Sequence, residues 1–216
     1  MNPRHWLRRL FPTARRLLVE RSLARVDFMA CRSVLVIGAG HDPYRHLFLE
    51  PARYLRLDIE RLPGITDVCA DAQQLPFRDG EFDCVLAVEV MEHLRDPMRF
   101  SLEVQRVLCD GGQAVISVPF LFHYHADPAD YWRPTRQALG HLFASAVERQ
   151  IIAQGHRVHV LSDLITTAFA PRAWLFPLRI VNHALARLPG SLTSPVRTSA
   201  PSGFLLIARM PRSPVA

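Results

Sequence analysis

The sequence contains no lysine, so all 26 basic side chains are arginine. This reads as the coding bias of a GC-rich genome rather than as a mechanism. There is no Cys-x-x-Cys pair: Cys31, Cys69, Cys84 and Cys109 lie far apart, so nothing suggests a disulfide framework and a reducing cytoplasm is the expected compartment. No uninterrupted apolar run follows the N-terminal arginines, so a secretory signal is not expected. Internal repeats and low-complexity tracts are absent, which excludes a repeat array. The apolar stretch from Leu161 to Leu188 is broken by Pro171, Arg172, Pro177 and Arg179, against a simple transmembrane span. It is expected instead to form an amphipathic helical insertion over about 157–190, as a lid, a dimer surface or a membrane-facing patch.

What charge there is sits at one end. Seven arginines up to Arg25 face Glu20 alone, leaving +6, and from Val26 onward 19 arginines balance 19 acids. Among these arginines stand Trp6, Leu7, Leu10, Phe11, Leu17 and Leu18, the pattern of a basic amphipathic helix, or two broken before Pro12. Residues 1–28 are therefore expected to be an N-terminal helical arm and 29–216 one domain. The arm is read as a capping helix with a solvated arginine face. Its alternative is a peripheral membrane contact through residues 4–25.

Apolar runs then alternate with helical patterns. "SVLVI" ends in Gly38-Ala39-Gly40, and Asp42-Pro43 reads as N-cap and first residue of a helix on "PYRHLFLE". "RYLRLD" stops at Asp58, "ITDVCAD" at Asp71, and "FDCVLAVEV" follows the Asp79-Gly80 turn. A helix capped by Asp96 and opened by Pro97 is expected to end at Gly111-Gly112, before the strand "QAVISVPF". A helix on "PTRQALGHLFA", a strand within "AVERQIIAQG" and a last strand "FLLIARM" complete the series. This is the order of an α/β protein with a doubly wound parallel sheet.

A glycine loop after the first strand lies where such sheets bind ligands. The dinucleotide fingerprint G-x-G-x-x-G fails here, because its last position is Pro43. Asp58 suits a ribose diol in a dinucleotide or another adenosine cofactor. Asp71 with a backbone N–H suits an adenine edge, so the two aspartates could hold adenosine without phosphate.

The ordered segments "VLVIGAGHDPY", "LRLDIE", "DVCADAQQLPFRDGEFDCVLAVEVMEHLRDP" and "EVQRVLCDGGQAVISVPF" resemble class I S-adenosylmethionine-dependent methyltransferases of the type 11 group, over about Ser33 to Thr135. The resemblance implies a Rossmann-like seven-stranded sheet with an antiparallel last strand. It implies S-adenosylmethionine as cofactor, with Gly38 and Gly40 beside the methionine, Asp58 on the ribose and Asp71 with Ala72 at the adenine. Glu89 would line the cofactor and acceptor pocket, and His93 falls in the family's Glu-His segment. Two departures stand out: Val36 replaces the family's acid in the first motif, and Asp42 its third glycine.

The segment "VPFLFHYHADPADYWRPT", Val118–Thr135, leaves the fifth strand on the cofactor side and resembles a subgroup signature at the acceptor side. His125 is the candidate base for a hydroxyl acceptor, with Asp127 or Asp130 to orient it, Tyr131 and Trp132 to stack, and Arg133 to hold an anion. The plainer alternative has Asp130 and Arg133 bracing the loop and His125 capping a strand end. His123, His125 and Asp127 would share a face if extended, but the pattern is short and broken by prolines, so no metal is expected.

These readings converge on a cytoplasmic methyltransferase acting at oxygen on a small-molecule or lipid-linked acceptor, peripheral to the inner membrane face if the arm touches lipid. The rivals are an inactive S-adenosylmethionine-binding protein that serves a partner, and a nicotinamide oxidoreductase. Nucleic acid is not an expected partner, because no basic platform interleaved with aromatics occurs.

Overall fold

The computed structural model describes residues 12–126, 128–168, 180–186 and 200–212. Arg4, Trp6, Leu7, Arg8, Arg9, Leu10 and Phe11 of the arm, Asp127, and Pro171, Arg172, Pro177 and Arg179 of the late stretch lie outside the described residues. Two compact units are formed. Of the described residues, one gathers those up to Arg25, within Pro119–Tyr124 and within Ala153–Phe204; the other gathers those within Val26–Val118, within His125–Ile152 and from Leu205.

Seven strands make one sheet: β1 (Ser33–Ile37), β2 (Arg53–Asp58), β3 (Val68–Cys69), β4 (Phe82–Val88), β5 (Leu108–Pro119), β6 (Glu148–Gln154) and β7 (Gly203–Arg209). Their order is β3-β2-β1-β4-β5-β7-β6. The first five pair in parallel, with Val36 beside Arg56 and Leu86. The last strand runs antiparallel to β5, as Gly111 N–H donates to Pro211 O and Met210 N–H to Gly112 O. It runs antiparallel to β6 as well, with Val147 N–H on Arg209 O and Ser202 N–H on Gln154 O.

In β1, β4 and β5, Val34, Leu35, Val85, Leu86, Val115 and Ile116 are fully buried. Both faces are covered, so these strands read as continuous apolar runs rather than alternating ones.

Two expected helix boundaries differ. After β1 only a 3₁₀ turn forms, at Arg45–Leu47. Asp42 is not an N-cap: it adopts φ 47°, and its carboxylate accepts from the Tyr54 hydroxyl at 2.8 Å. Glu50, also at positive φ, turns the chain ahead of Pro51. The second difference follows β4. There α2 (Pro97–Val107) starts as expected, with Asp96 accepting from Arg99 N–H at 2.9 Å, and buries Phe100, Val104 and Val107 along one stripe. It passes straight into β5 at Leu108, so Gly111 and Gly112 lie within the strand instead of ending the helix. Arg106 in its last turn bonds Glu103, Asp79 and the carbonyls of Leu75 and Phe77, tying the approach to β4 onto the helix. A third helix, α3 (Arg136–Leu142), is capped by Thr135.

The other unit holds α1 (Ala14–Leu23), α4 (Arg157–Ala168) and α5 (Ile180–Ala186). The carboxylate of Asp163 in α4 accepts from the Ala14 and Arg15 N–H groups at 2.6 and 2.8 Å, satisfying donors at the positive end of α1. The solvated arginine face expected of the arm fails at Arg15. Its side chain is buried and its guanidinium donates to Gln154 Oε1 at 2.7 Å.

The second surprise is α4 itself, which is inverted. It buries His159, Ser162, Asp163 and Thr166 and exposes Val158, Leu161, Leu164 and Ile165. Part of its polar side makes hydrogen bonds instead of facing water: Ser162 donates to Asn182 at 2.6 Å, and Asn182 on to Pro12 O at 3.1 Å.

Candidate active site

At the carboxyl ends of β1, β2, β3 and β4 lies a cavity of about 620 Å³, a usual size for a small-molecule site. Gly38, Gly40, Asp58, Asp71, Ala72 and Glu89, the six residues expected at the cofactor, all line it.

The glycine loop closes on itself. Gly38 and Ala39 N–H both donate to Leu57 O, at 2.9 and 3.3 Å, and Gly40 N–H donates to Asp58 Oδ2 at 3.1 Å. Those three donors are spent internally, where a pyrophosphate would need them. Gly38 stands at φ 66°, and a Cβ there would lie 2.4 Å from Val90 Cγ2.

The charge of the wall points the same way. Asp58, Glu60, Asp71 and Glu89 line the cavity against the single arginine Arg95, a field that favours a cationic ligand and opposes a phosphate. Glu89 is held at φ 56°, a costly conformation for a residue with a side chain. Its N–H donates to Ser117 O and its carboxylate accepts from Ser117 Oγ, each at 2.9 Å. Asp71 accepts from Gln73 N–H at 2.8 Å and from the Gln73 amide at 3.0 and 3.1 Å. The amide oxygen in turn accepts from Asp96 N–H. Gln73 thus fixes the Asp71 carboxylate and leaves one edge for a ligand.

The three expected catalytic residues are together but do not line the cavity. Arg133 makes two bonds to Asp130, through Nη1 to Oδ1 and through Nη2 to Oδ2. Asp130 also accepts from His125 N–H at 2.9 Å. The guanidinium holds the Asp130 carboxyl down at about 2. This is the brace geometry. Tyr131 lines the cavity, while Trp132 turns its indole N–H onto Leu94 O at 2.8 Å.

His93 does line the cavity. Its Nδ1 lies 2.6 Å from Ala129 O; since a carbonyl only accepts, Nδ1 carries the proton, and Nε2 of the neutral ring is the acceptor. The sequence reading missed Glu92. It is 0 % exposed and neither carboxylate oxygen has a hydrogen-bond partner. Its Oε1 lies 3.7 Å from Nε2 of both His93 and His125, and burial pushes its carboxyl upward. An acid three residues after Glu89 reads as another solvated charge; only the 3₁₀ turn Met91–His93 drives it inward.

The chain is similar to known methyltransferases. Residues 43–116 match the methyltransferase domain family. A phthiotriol/phenolphthiotriol dimycocerosates methyltransferase 1 of Mycobacterium ulcerans (strain Agy99) is 31 % identical over 79 % of this chain and 65 % of its own length. The corresponding methyltransferase of Mycobacterium tuberculosis (strain H37Rv) is 38 % identical over 44 % of this chain and 40 % of its own. The chain thus spans less than two thirds of these curated relatives. A crystal structure of a SAM-dependent methyltransferase from Archaeoglobus fulgidus superposes with a TM-score of 0.63 at 16 % identity, covering 96 % of this chain and all of that one, a likeness of fold.

Proposed function

We propose that the chain is a class I S-adenosylmethionine-dependent methyltransferase and that it moves a methyl group from that cofactor to a hydroxyl of a small or lipid-linked acceptor. The observation that carries this reading is the acid-lined cavity whose glycine-loop N–H groups are already bonded. It suits a cationic adenosine derivative and disfavours the pyrophosphate of a nicotinamide cofactor.

Asp58 would take the ribose hydroxyls, Asp71 with Ala72 the adenine edge, and Gly38, Gly40 and Glu89 the methionine end. When bound, S-adenosylmethionine supplies a methyl group on an electrophilic sulfonium. The chain's task is to align an acceptor and remove its proton. The base role expected of His125 is shared here with His93, the imidazole on the cavity wall, against which the His125 ring packs edge-on at 5.2 Å.

A lipid-linked acceptor is favoured by the inverted helix α4, whose exposed Leu161, Leu164 and Ile165 continue in kind with Ile180 and Val181 of α5. The relatives' names, which speak of dimycocerosates, support the same reading. Among the described residues no helix is long and apolar enough to cross a membrane. In this reading the protein works from the cytoplasm at the inner face of the membrane, a location supported by the basic arm and the exposed apolar residues of α4 and α5.

Calorimetric titration with S-adenosylmethionine and S-adenosylhomocysteine tests the assignment. Wild type should bind both, and Asp71→Ala should weaken binding at least tenfold. A folded wild type that binds neither sinks the reading, and binding without turnover on any acceptor leaves the inactive binding protein.

A further inference from the structure

From the cluster of Glu92, His93 and His125 beside the cavity, we infer a site for a divalent first-row transition cation. Among the described residues these three form the one group whose ligand atoms all lie within 4.8 Å of one another. The carboxylate is fully buried, with both oxygens lacking a hydrogen-bond partner, a state that a cation would relieve. Both imidazoles bring Nε2 to 3.7 Å from the same oxygen, Oε1. Ligand atoms of a tetrahedral ion with bonds of about 2.1 Å stand roughly 3.4 Å apart, so small side-chain rotations close the site.

The surroundings are those of a metal centre. Ligating histidines ordinarily donate their other N–H to a carbonyl or carboxylate, which fixes the tautomer. His93 Nδ1 meets Ala129 O at 2.6 Å and His125 Nδ1 meets Asp130 Oδ2 at 3.5 Å. The Arg133–Asp130 brace then acquires a purpose: it holds the carboxylate that orients His125. Two neutral imidazoles and one carboxylate suit Zn²⁺, Fe²⁺, Co²⁺ or Mn²⁺ and not Ca²⁺ or Mg²⁺. Three protein ligands leave a four-coordinate ion one position, and His93 puts the group at the cavity wall. There an acceptor hydroxyl could coordinate and release its proton to water, a role the ion takes over from the imidazoles. The inference shares its site with the methyl-transfer reading but does not depend on turnover.

The test uses the full-length chain without a histidine tag, stripped with chelator and titrated with Co²⁺ as a visible probe. Wild type should bind one equivalent with d–d absorption bands, displaced by Zn²⁺. His93→Ala, His125→Ala and Glu92→Gln should each weaken binding tenfold or more, with the fold checked by circular dichroism. Asp130→Asn should weaken it less while keeping the stoichiometry. No saturable Co²⁺ binding by folded wild type, or unchanged binding in H93A/H125A, overturns the site. S-adenosylhomocysteine binding measured on the same samples separates the two failures: retained there with Co²⁺ binding lost, only the metal inference falls.

Discussion

Gly38 is fixed as glycine by two independent demands, a left-handed backbone and the Val90 methyl 2.4 Å from where a Cβ would stand. Gly38→Ala should cost about 2 kcal/mol, roughly 1 from backbone strain and the rest from overlap. In Gly38→Ala/Val90→Ala the overlap goes and the strain stays. Urea unfolding of both variants checks this, and equal loss in the two would show that overlap contributes nothing. At this scale the lining of the cavity was legible. Gly38, Gly40, Asp58, Asp71, Ala72 and Glu89 follow strand ends, and a strand end fixes where its next residue points. The cluster of Glu92, His93 and His125 was not. Glu92 reads as a surface acid, and its approach to His125 joins residues 33 positions apart through a turn whose direction no local pattern encodes.

Strand β1 was legible to its end because a strand buried on both faces is an apolar run, and β2, only partly buried, by its alternation as far as Asp58. The helix expected after β1 does not form, and the oxygen expected to cap it is taken by Tyr54 from β2. β3 is only two residues long, and what fastens it is largely the pair just ahead of it. Arg56 bonds Asp67 through two guanidinium nitrogens at 2.9 Å, and the same carboxylate accepts from Arg56 N–H. Asp67→Asn should therefore cost about 1 kcal/mol at pH 7. The arginine holds the Asp67 carboxyl below its ordinary value. The pair's contribution is thus complete above the unfolded carboxyl's pKa of about 3.9 and fades as pH falls beneath it. Urea midpoints of wild type and variant should differ at pH 7 and converge near pH 3; a difference unchanged at pH 3 would refute the assignment.

At the scale of the molecule two features matter for a membrane: the first 25 residues carry +6, and among the described residues α4 and α5 leave Val158, Leu161, Leu164, Ile165, Ile180 and Val181 exposed. If both meet a membrane, co-sedimentation with phosphatidylglycerol vesicles should fall severalfold on raising salt from 0.05 to about 0.5 M, as screening shortens. Leu161→Asp/Ile165→Asp should lower binding even at low salt, and indifference to that variant would remove the lipid reading of α4. The charge was plain in the sequence. The inversion of α4 was not, because its hydrogen-bonded polar side and its exposed apolar side give the same periodicity as an ordinary amphipathic helix turned the other way. The strand order has a consequence in time. β6 touches only β7 in the sheet, and β7 is made long after it. At translation rates of about 5–20 residues per second, a ribosome exposes Glu148–Gln154 for seconds with no strand to receive it. For that interval the nascent chain carries an open edge, and a shielding chaperone or a slow codon run would act there.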